Sequence, residues 1–295
     1  GFLQPLPLGG FGVSRYKLDA AMALIAKHWG VEIREQVKVN EVQYRSGLFC
    51  IDTNADRFKA PVCCGAFGKR SNLDVKWKRR FIQKQAGALD NYIGIKYHAY
   101  LDQPRDIIAL HNFKNGYCGI SAIEEDKYCI CYLTTASNLR DNYNDIKRME
   151  EALLFKNPHL ERIFTNATFL YKEPLAISRI SFDKKQQVEN HVLMAGDAAG
   201  MIAPLCGNGM SMALHAGKLA AQCIRDFLES TTDRTAMETR YRQQWKHLFG
   251  SRLRTGRMIQ RLFGNARVAN LFIQAISPFP RAIRLLVRHT HGDAF

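Results

Sequence analysis

The spacing of apolar and polar residues changes period several times along the chain. Near the start, Leu18, Met22, Ile25 and Ala26 recur at helical spacing behind Ser14, and Gly30 follows. This predicts an amphipathic helix over about 15–29 with Ser14 as its N-cap. Residues 31–34 and 36–39 then alternate as strands do, 47–53 reads as another strand, and 60–66 as a short buried one ending in glycine.

The two-residue period continues through 82–135, in runs at 92–100, 107–113, 117–123 and 128–134. Gly116 and the acidic turn Glu124-Glu125-Asp126 punctuate them. Successive strands joined by short turns predict an antiparallel meander. Helical spacing returns at 144–156 and 158–164 and yields to a buried strand at 191–195. It then dominates from about 208 to 230, from 234 to 263, and onward to the end.

This order predicts an α/β (α+β) fold. A sheet-and-helix domain over 1–80 and 186–232 is interrupted by an antiparallel-sheet domain at 81–185, and a helical region closes the chain at 233–295. The length of 295 residues suits about two domains of roughly 150 residues.

Charge first points elsewhere. Lys and Arg number 42 against 27 Asp and Glu, a net of +15, which suggests a polyanion or an anionic membrane. The surplus is local, however. Residues 69–84 carry a net +6 and residues 246–295 a net +8, so the body between is nearly neutral. A dedicated nucleic-acid surface would interleave aromatics with these charges. The first patch offers only Trp77 and Phe81, so a noncatalytic basic binding module ranks as the rival class and nucleic acid is not an expected partner.

The eight cysteines form no CxxC pair, and no His stands at metal-ligand spacing beside them. No metal site is therefore expected, and a reducing cytoplasm is the simplest setting. Residues 198–217 lack any charged side chain and are long enough to span a bilayer. Four glycines, Pro204, Asn208, Ser211 and His215 make the run a poor span.

That run belongs to the segment richest in chemistry, 191–222: a buried strand, Gly196-Asp197, small residues including Gly200, then Pro204, Gly207-Asn208-Gly209 and a helix rich in Ala and Gly. A carboxylate at a strand's carboxyl edge stands where open α/β sheets bind ligands. Asp197 could there accept the hydroxyls of a sugar or ribityl chain. Gly207 and Gly209 let a flat ligand approach the backbone. A helix starting near Asn208 presents free N–H groups and a positive dipole end, which favour a ring that becomes anionic on reduction. Ala213, Ala216, Gly217, Ala220 and Ala221 form a small-residue face for close packing.

The 191–222 segment resembles the second FAD-binding motif of the flavoprotein monooxygenase superfamily, which includes p-hydroxybenzoate hydroxylase, geranylgeranyl reductases and flavin halogenases. The resemblance implies that Asp197 binds the ribityl chain of FAD and that Pro204 to Met210 lie along the isoalloxazine. Two more segments are similar to the family's. Residues 13–19 resemble its Arg-x-x-Leu-Asp helix start, which places Arg15 beside the cofactor. Residues 64–71 resemble its Gly-Ala-Asp-Gly-x-x-Ser turn, with Phe67 where the family has Asp. That replacement counts against family-style reduction by NAD(P)H, although NAD(P)H or another reductant is still implied. The family's opening GxGxxG unit has no counterpart, so the FAD-binding Rossmann-like domain is expected to be incomplete at its N-terminus.

The resemblance implies a flavin-dependent oxidoreductase without a side-chain nucleophile. Reduced flavin either forms a hydroperoxide with oxygen, which hydroxylates or epoxidises a substrate, or delivers hydride to an isoprenoid C=C bond. Halogenases are expected to be the least similar branch, because their Trp-x-Trp motif is missing: the tryptophans are Trp29, Trp77 and Trp245. The reductases' Tyr-x-Trp-x-Phe-Pro strand is matched only weakly at 117–122, where Gly119 replaces Trp. A monooxygenase acting on an apolar or aromatic small molecule is the favoured reading. The pocket is expected between the 82–180 sheet and the 200–210 loop, with Tyr97, Phe113 and Tyr117 lining it. At the end of the chain, Arg281, Arg284 and Arg288 at helical spacing beside Phe272, Ile273, Phe279, Ile283, Leu286 and Val287 allow peripheral contact with an anionic membrane.

Overall fold

The computed structural model describes residues 3–6, 9–83, 91–203, 207–263, 271–272, 274–279, 281–284 and 287, with side chains of the long helix described to 260. Helix α1 (Arg15–His28) comes first, followed by strands β1 (Val39–Arg45), β2 (Leu48–Thr53), β3 (Arg57–Ala60) and β4 (Cys64–Gly65). Short helices α2 (Asn72–Lys76) and α3 (Arg80–Gln83) precede β5 (Tyr92–Tyr100), β6 (Ala109–Phe113), β7 (Gly116–Ala122) and β8 (Tyr128–Thr135). Then come α4 (Ala136–Arg140), α5 (Ile146–Met149), which runs into a π-helical turn at Glu150–Leu154, and α6 (Pro158–Asn166). Strands β9 (Thr168–Phe169), β10 (Leu175–Ile180), β11 (Val188–Glu189) and β12 (Val192–Met194) lead to a 3-10 turn at Gly196–Ala198, α7 (Gly209–Leu228) and α8 (Arg234–Phe263).

The chain forms two compact units: Gly1–Ile33 with Asp90–Ile180 and Met258–Val287, and Arg34–Leu89 with Ser181–Arg257 and Arg288–Phe295. Residues 1–33, grouped by their sequence with 34–80, thus cluster with the antiparallel sheet.

In the first unit the sheet runs β10-β5-β8-β7-β6, with β9 also on β5. All pairings are antiparallel, and Ile95 faces Tyr132, which faces Cys118 in turn. The alternation sends Ile93, Ile95, Tyr97 and Ala99 to one face, where Met149, Leu154, Leu160 and Phe164 cover them. Each large side chain so buried stabilises by ~1.5–3 kcal/mol. The acidic turn before β8 works through left-handed residues at Glu125 and Asp126.

Helix α1 forms as its caps demand. The Ser14 hydroxyl accepts from the Lys17 N–H, and the Ser14 N–H donates to Glu124 at 2.9 Å. At the far end Gly30 is left-handed, and the N–H groups of Gly30 and Val31 donate to the carbonyls of Lys27 and Ala26. This Schellman closure absorbs Val31, so 31–34 is not the strand its alternation predicts. None of the helix's side chains is fully buried: of the expected stripe, Leu18 and Ala26 are half-buried and Met22 and Ile25 are exposed.

In the second unit, β1, β2 and β3 make an antiparallel meander, and a separate sheet runs β11-β12-β4. Strands β12 and β4 are parallel, with Leu193 opposite Cys64 and Met194 opposite Gly65. Helix α8 buries Tyr241, Trp245 and Phe249 in this unit, and the Tyr241 hydroxyl donates to the Met194 carbonyl at 2.5 Å. Helix α7 buries Met212, Ala216, Leu219, Ala220 and Cys223. Gly217 and Ala221, assigned by sequence to its packing face, are exposed. The uncharged 198–217 run is broken by turns before α7 begins, and no helix of the described residues is long and apolar enough to cross a membrane.

Candidate functional site at two glycine turns

Parallel pairing of β4 and β12 sets the carboxyl ends of two strands side by side, and the Ala195 N–H extends the pairing by donating to the Gly65 carbonyl at 3.0 Å. Each strand runs directly into a glycine turn: Gly65 to Gly68 after β4, Gly196 to Ala198 after β12. Two motif segments separated by more than a hundred residues therefore share one sheet edge.

Gly196 adopts φ +58, and a Cβ there would lie 3.3 Å from the Ala213 Cβ. The left-handed turn and the approach of α7 both require glycine. It releases Asp197 in a half-buried position at the strand's end. Helix α7 then starts at Gly209 with Asn208 as N-cap; among the described residues the Asn208 side chain does not accept from the helix's first N–H groups, and the first turn carries no acidic residue. A twenty-residue helix thus presents an N-terminus suited to negative charge.

The glycines divide by role. Among the described residues a Cβ at Gly207 would meet nothing within 4 Å, and at Gly209 only Ile202, 3.9 Å away, so against those residues the backbone is open to a flat ligand. Gly200 is different: a Cβ would lie 2.9 Å from the Trp245 ring and 3.2 Å from Leu253. Packing against α8 is enough to require glycine there. Behind the turn, Gly196, Asp197, Gly200, Ile202, Met212 and Trp245 line a cleft with about 10 Å³ of free volume. That is room for ~one water and not for a ring.

The turn after β4 is closed by Ser71, whose hydroxyl accepts from the Leu73 N–H while Asp74 accepts from the Ser71 N–H at 2.6 Å. Phe67 packs over Gly65, where a Cβ would lie 2.8 Å from its ring, and meets Trp77 edge-on.

Sequence missed the supports beneath these turns. Arg79, counted in a basic surface patch, is buried and donates to Asp74 at 2.8 Å and to the carbonyls of Gln186 and Ala198. Lys185 is buried beside it, and burial pulls its pKa down to about 8. Both act across more than a hundred residues, and local pattern carries no signal of that.

Arg15 lies in the other unit, exposed and paired with Asp19 at 2.8 Å. Pro204 lies outside the described residues. Tyr97 and Phe113 belong to the helix-covered core of the sheet, and this corrects their placement in a pocket lining. The Tyr97 hydroxyl donates to Glu150 at 2.8 Å, as does Tyr132. Tyr117 is buried on the opposite face, opposite Leu133 in register. On that face Lys96 and His98 accompany the small residues Gly94, Gly119, Cys129 and Cys131. Of the C-terminal stripe, Phe279, Arg281 and Arg284 are exposed and Ile283 is buried, while Ile273, Leu286 and Arg288 lie outside the described residues.

No family model matches the chain. Conditioned medium factor receptor 1 of Dictyostelium discoideum is 24% identical over 258 residues, covering 81% of this chain and 48% of that protein. The chain thus spans about half the length of that relative. Among solved structures, the flavin-dependent brominase Bmp2 matches with a TM-score of 0.79 at 18% identity, covering 100% of this chain and 74% of that one. A flavoprotein/dehydrogenase from Cytophaga hutchinsonii matches with a TM-score of 0.75 at 15% identity, over 96% and 69%.

The fold is that of flavin-dependent enzymes. A halogenating enzyme stands among these matches although its branch was expected to be the least similar. At such identity the likeness is one of fold.

Proposed function

We propose that this chain forms the ribityl- and ring-binding part of an FAD-dependent oxidoreductase of the monooxygenase type, acting on an apolar or aromatic small molecule. The carrying observation is the placement of Asp197 at the end of a parallel strand pair, in one cleft with Gly209 and Met212 of the first turn of α7. The residues present fit the ribityl and isoalloxazine half of FAD. Asp197 would accept ribityl hydroxyls, and the open backbone at Gly207, Asn208, Gly209 and Met210 would lie along the ring.

When bound, FAD supplies the redox chemistry. The protein's part is to orient it and favour charge at one edge. The N–H groups of the first turn of α7 would stabilise negative charge on the reduced ring, at ~0.3–1 kcal/mol or more where shielded from water. NAD(P)H or another reductant would deliver the electrons. Peripheral membrane contact through the exposed Phe279, Arg281 and Arg284 region would suit an apolar substrate.

The test is a flavin titration of the 295-residue chain, followed by quenching of flavin fluorescence. Weak but saturable binding is expected, with riboflavin and FAD similar because Asp197 and the backbone of Gly207 to Met210 would meet their shared half. Asp197→Ala should weaken it about tenfold or more, the loss of hydrogen bonds to a charged group. Absence of saturable binding by any flavin overturns the reading. With the reduced flavoprotein, oxygen consumption coupled to hydroxylated product supports the oxygenase, whereas anaerobic saturation of an isoprenoid C=C bond identifies a reductase.

A further inference from the structure

Three consecutive carbonyls of the turn after β12 are each held from behind by a side chain. Asp197 accepts from Lys185 Nζ at 2.7 Å, Ala198 from Arg79 Nη1 at 3.1 Å, and Ala199 from Gln187 Nε2 at 3.2 Å. Lys185 Nζ also donates to the carbonyl of Lys69, at 2.7 Å, in the turn after β4. One ammonium therefore joins the two glycine turns. Its remaining side faces the Phe81 ring, whose centroid is 4.5 Å away and which Arg79 also covers at 5.3 Å.

We propose that Lys185 is a positioning residue that locks the two glycine turns into one frame, so that the order of each depends on the other. Its consequence for cofactor affinity rests on the flavin reading above; the lock itself rests on the hydrogen bonds alone. A buried ammonium is unfavourable unless its donors are satisfied. Here two donors meet carbonyls on segments far apart in sequence, and the third lies over an aromatic face. A residue needed only for packing would be an apolar chain of the same length.

The charges around Lys185 are Asp74 and Asp197, which favour the ammonium, and Arg79 and Lys69, which oppose it. Glu189 reaches Arg79 at 3.4 Å. Burial outweighs the carboxylates, so Lys185 loses its proton as pH rises through about 8. The neutral amine donates more weakly, and the lock loosens.

Two measurements on the purified chain test this. Without ligand, hydrogen exchange is followed in peptides covering 66–71, 195–200 and, as a control, 92–100. In Lys185→Met both turn peptides should exchange about tenfold faster or more, with the control unchanged. In the unmodified chain the same two peptides should loosen together above pH ~8 after correction for intrinsic exchange, which needs no variant and so survives a folding failure of Lys185→Met.

Flavin affinity is then titrated from pH ~6.5 to ~9.5, a span bracketing the lysine. It should fall through pH ~8 in the unmodified chain and be lower and flat in Lys185→Met. If neither turn responds, or only 195–200 does, the lock is wrong. If both turns loosen but no flavin binds, the lock stands and the flavin reading falls. If flavin binds equally to both forms and exchange is unchanged, the flavin reading stands and the lock falls.

Discussion

The Arg79 guanidinium donates to the Asp74 carboxylate at 2.8 Å with both side chains closed to water. Asp74 thereby serves two ends at once. One oxygen receives Arg79, and the other accepts from the Ser71 N–H that opens α2. Breaking a buried pair strands the remaining charge, which typically costs ~3–5 kcal/mol. Asp74→Ala should lower stability by about that much in urea unfolding, and the turn carrying Gly68 should loosen with it. A loss below ~1 kcal/mol, the size of an exposed pair, would show that the network is slack.

Glu150 gives the first unit a pH dependence with a definite sign. Burial raises its pKa, against the opposing hydrogen bonds from Tyr132 and Tyr97. A carboxyl group with a raised pKa binds more protons folded than unfolded, so its contribution is present below the unfolded value near 4.5 and lost as pH rises through the folded one. Glu150→Gln keeps a carbonyl acceptor for both hydroxyls and removes the titration. Measured by urea midpoints from pH ~4 to ~8, the variant should gain on the unmodified chain as pH rises. Parallel curves would contradict this.

The first unit's sheet was largely legible from the chain. Its strands alternate strictly, Gly116 and Glu124-Glu125-Asp126 mark the turns, and α8 spans the residues its period predicted. Strand β10 was missed because most of its residues are exposed and carry no alternation. The motif turns were legible as motifs, since glycine and aspartate types carry the signal. What holds them was not. Arg79 sits in a basic run that reads as solvated surface, and its partners lie 107 and 119 residues onward. Nor could periodicity tell which face of the meander would be covered. Tyr97 and Phe113 therefore looked like lining but are core.

Phe67 bears on the source of electrons. Its ring packs over Gly65 and against Trp77, at the position where the resembling family carries Asp. An apolar ring there offers no carboxylate to a nicotinamide cofactor. Under anaerobic conditions NADPH should bleach the visible band of a flavin complex far more slowly than dithionite does. Rapid reduction by NADPH alone would show that another residue has taken over the role.

Gly200 and Trp245 should behave as one site. An alanine at Gly200 places its Cβ 2.9 Å from the Trp245 ring, an overlap that the surrounding core cannot relieve cheaply. Overpacking of this kind costs ~1–3 kcal/mol. Trp245 is buried, and its indole N–H has no partner among the described residues. Trp245→Phe therefore loses ring area but also removes an unsatisfied donor, itself a penalty of ~1–3 kcal/mol, so its net effect should be small. In a double-mutant cycle read by urea unfolding, Trp245→Phe should recover most of the stability lost in Gly200→Ala, a coupling of ~1 kcal/mol or more. Flavin affinity should follow stability through the cycle. Additive losses with a separate collapse of flavin binding in Gly200→Ala would instead show that Gly200 also meets the cofactor.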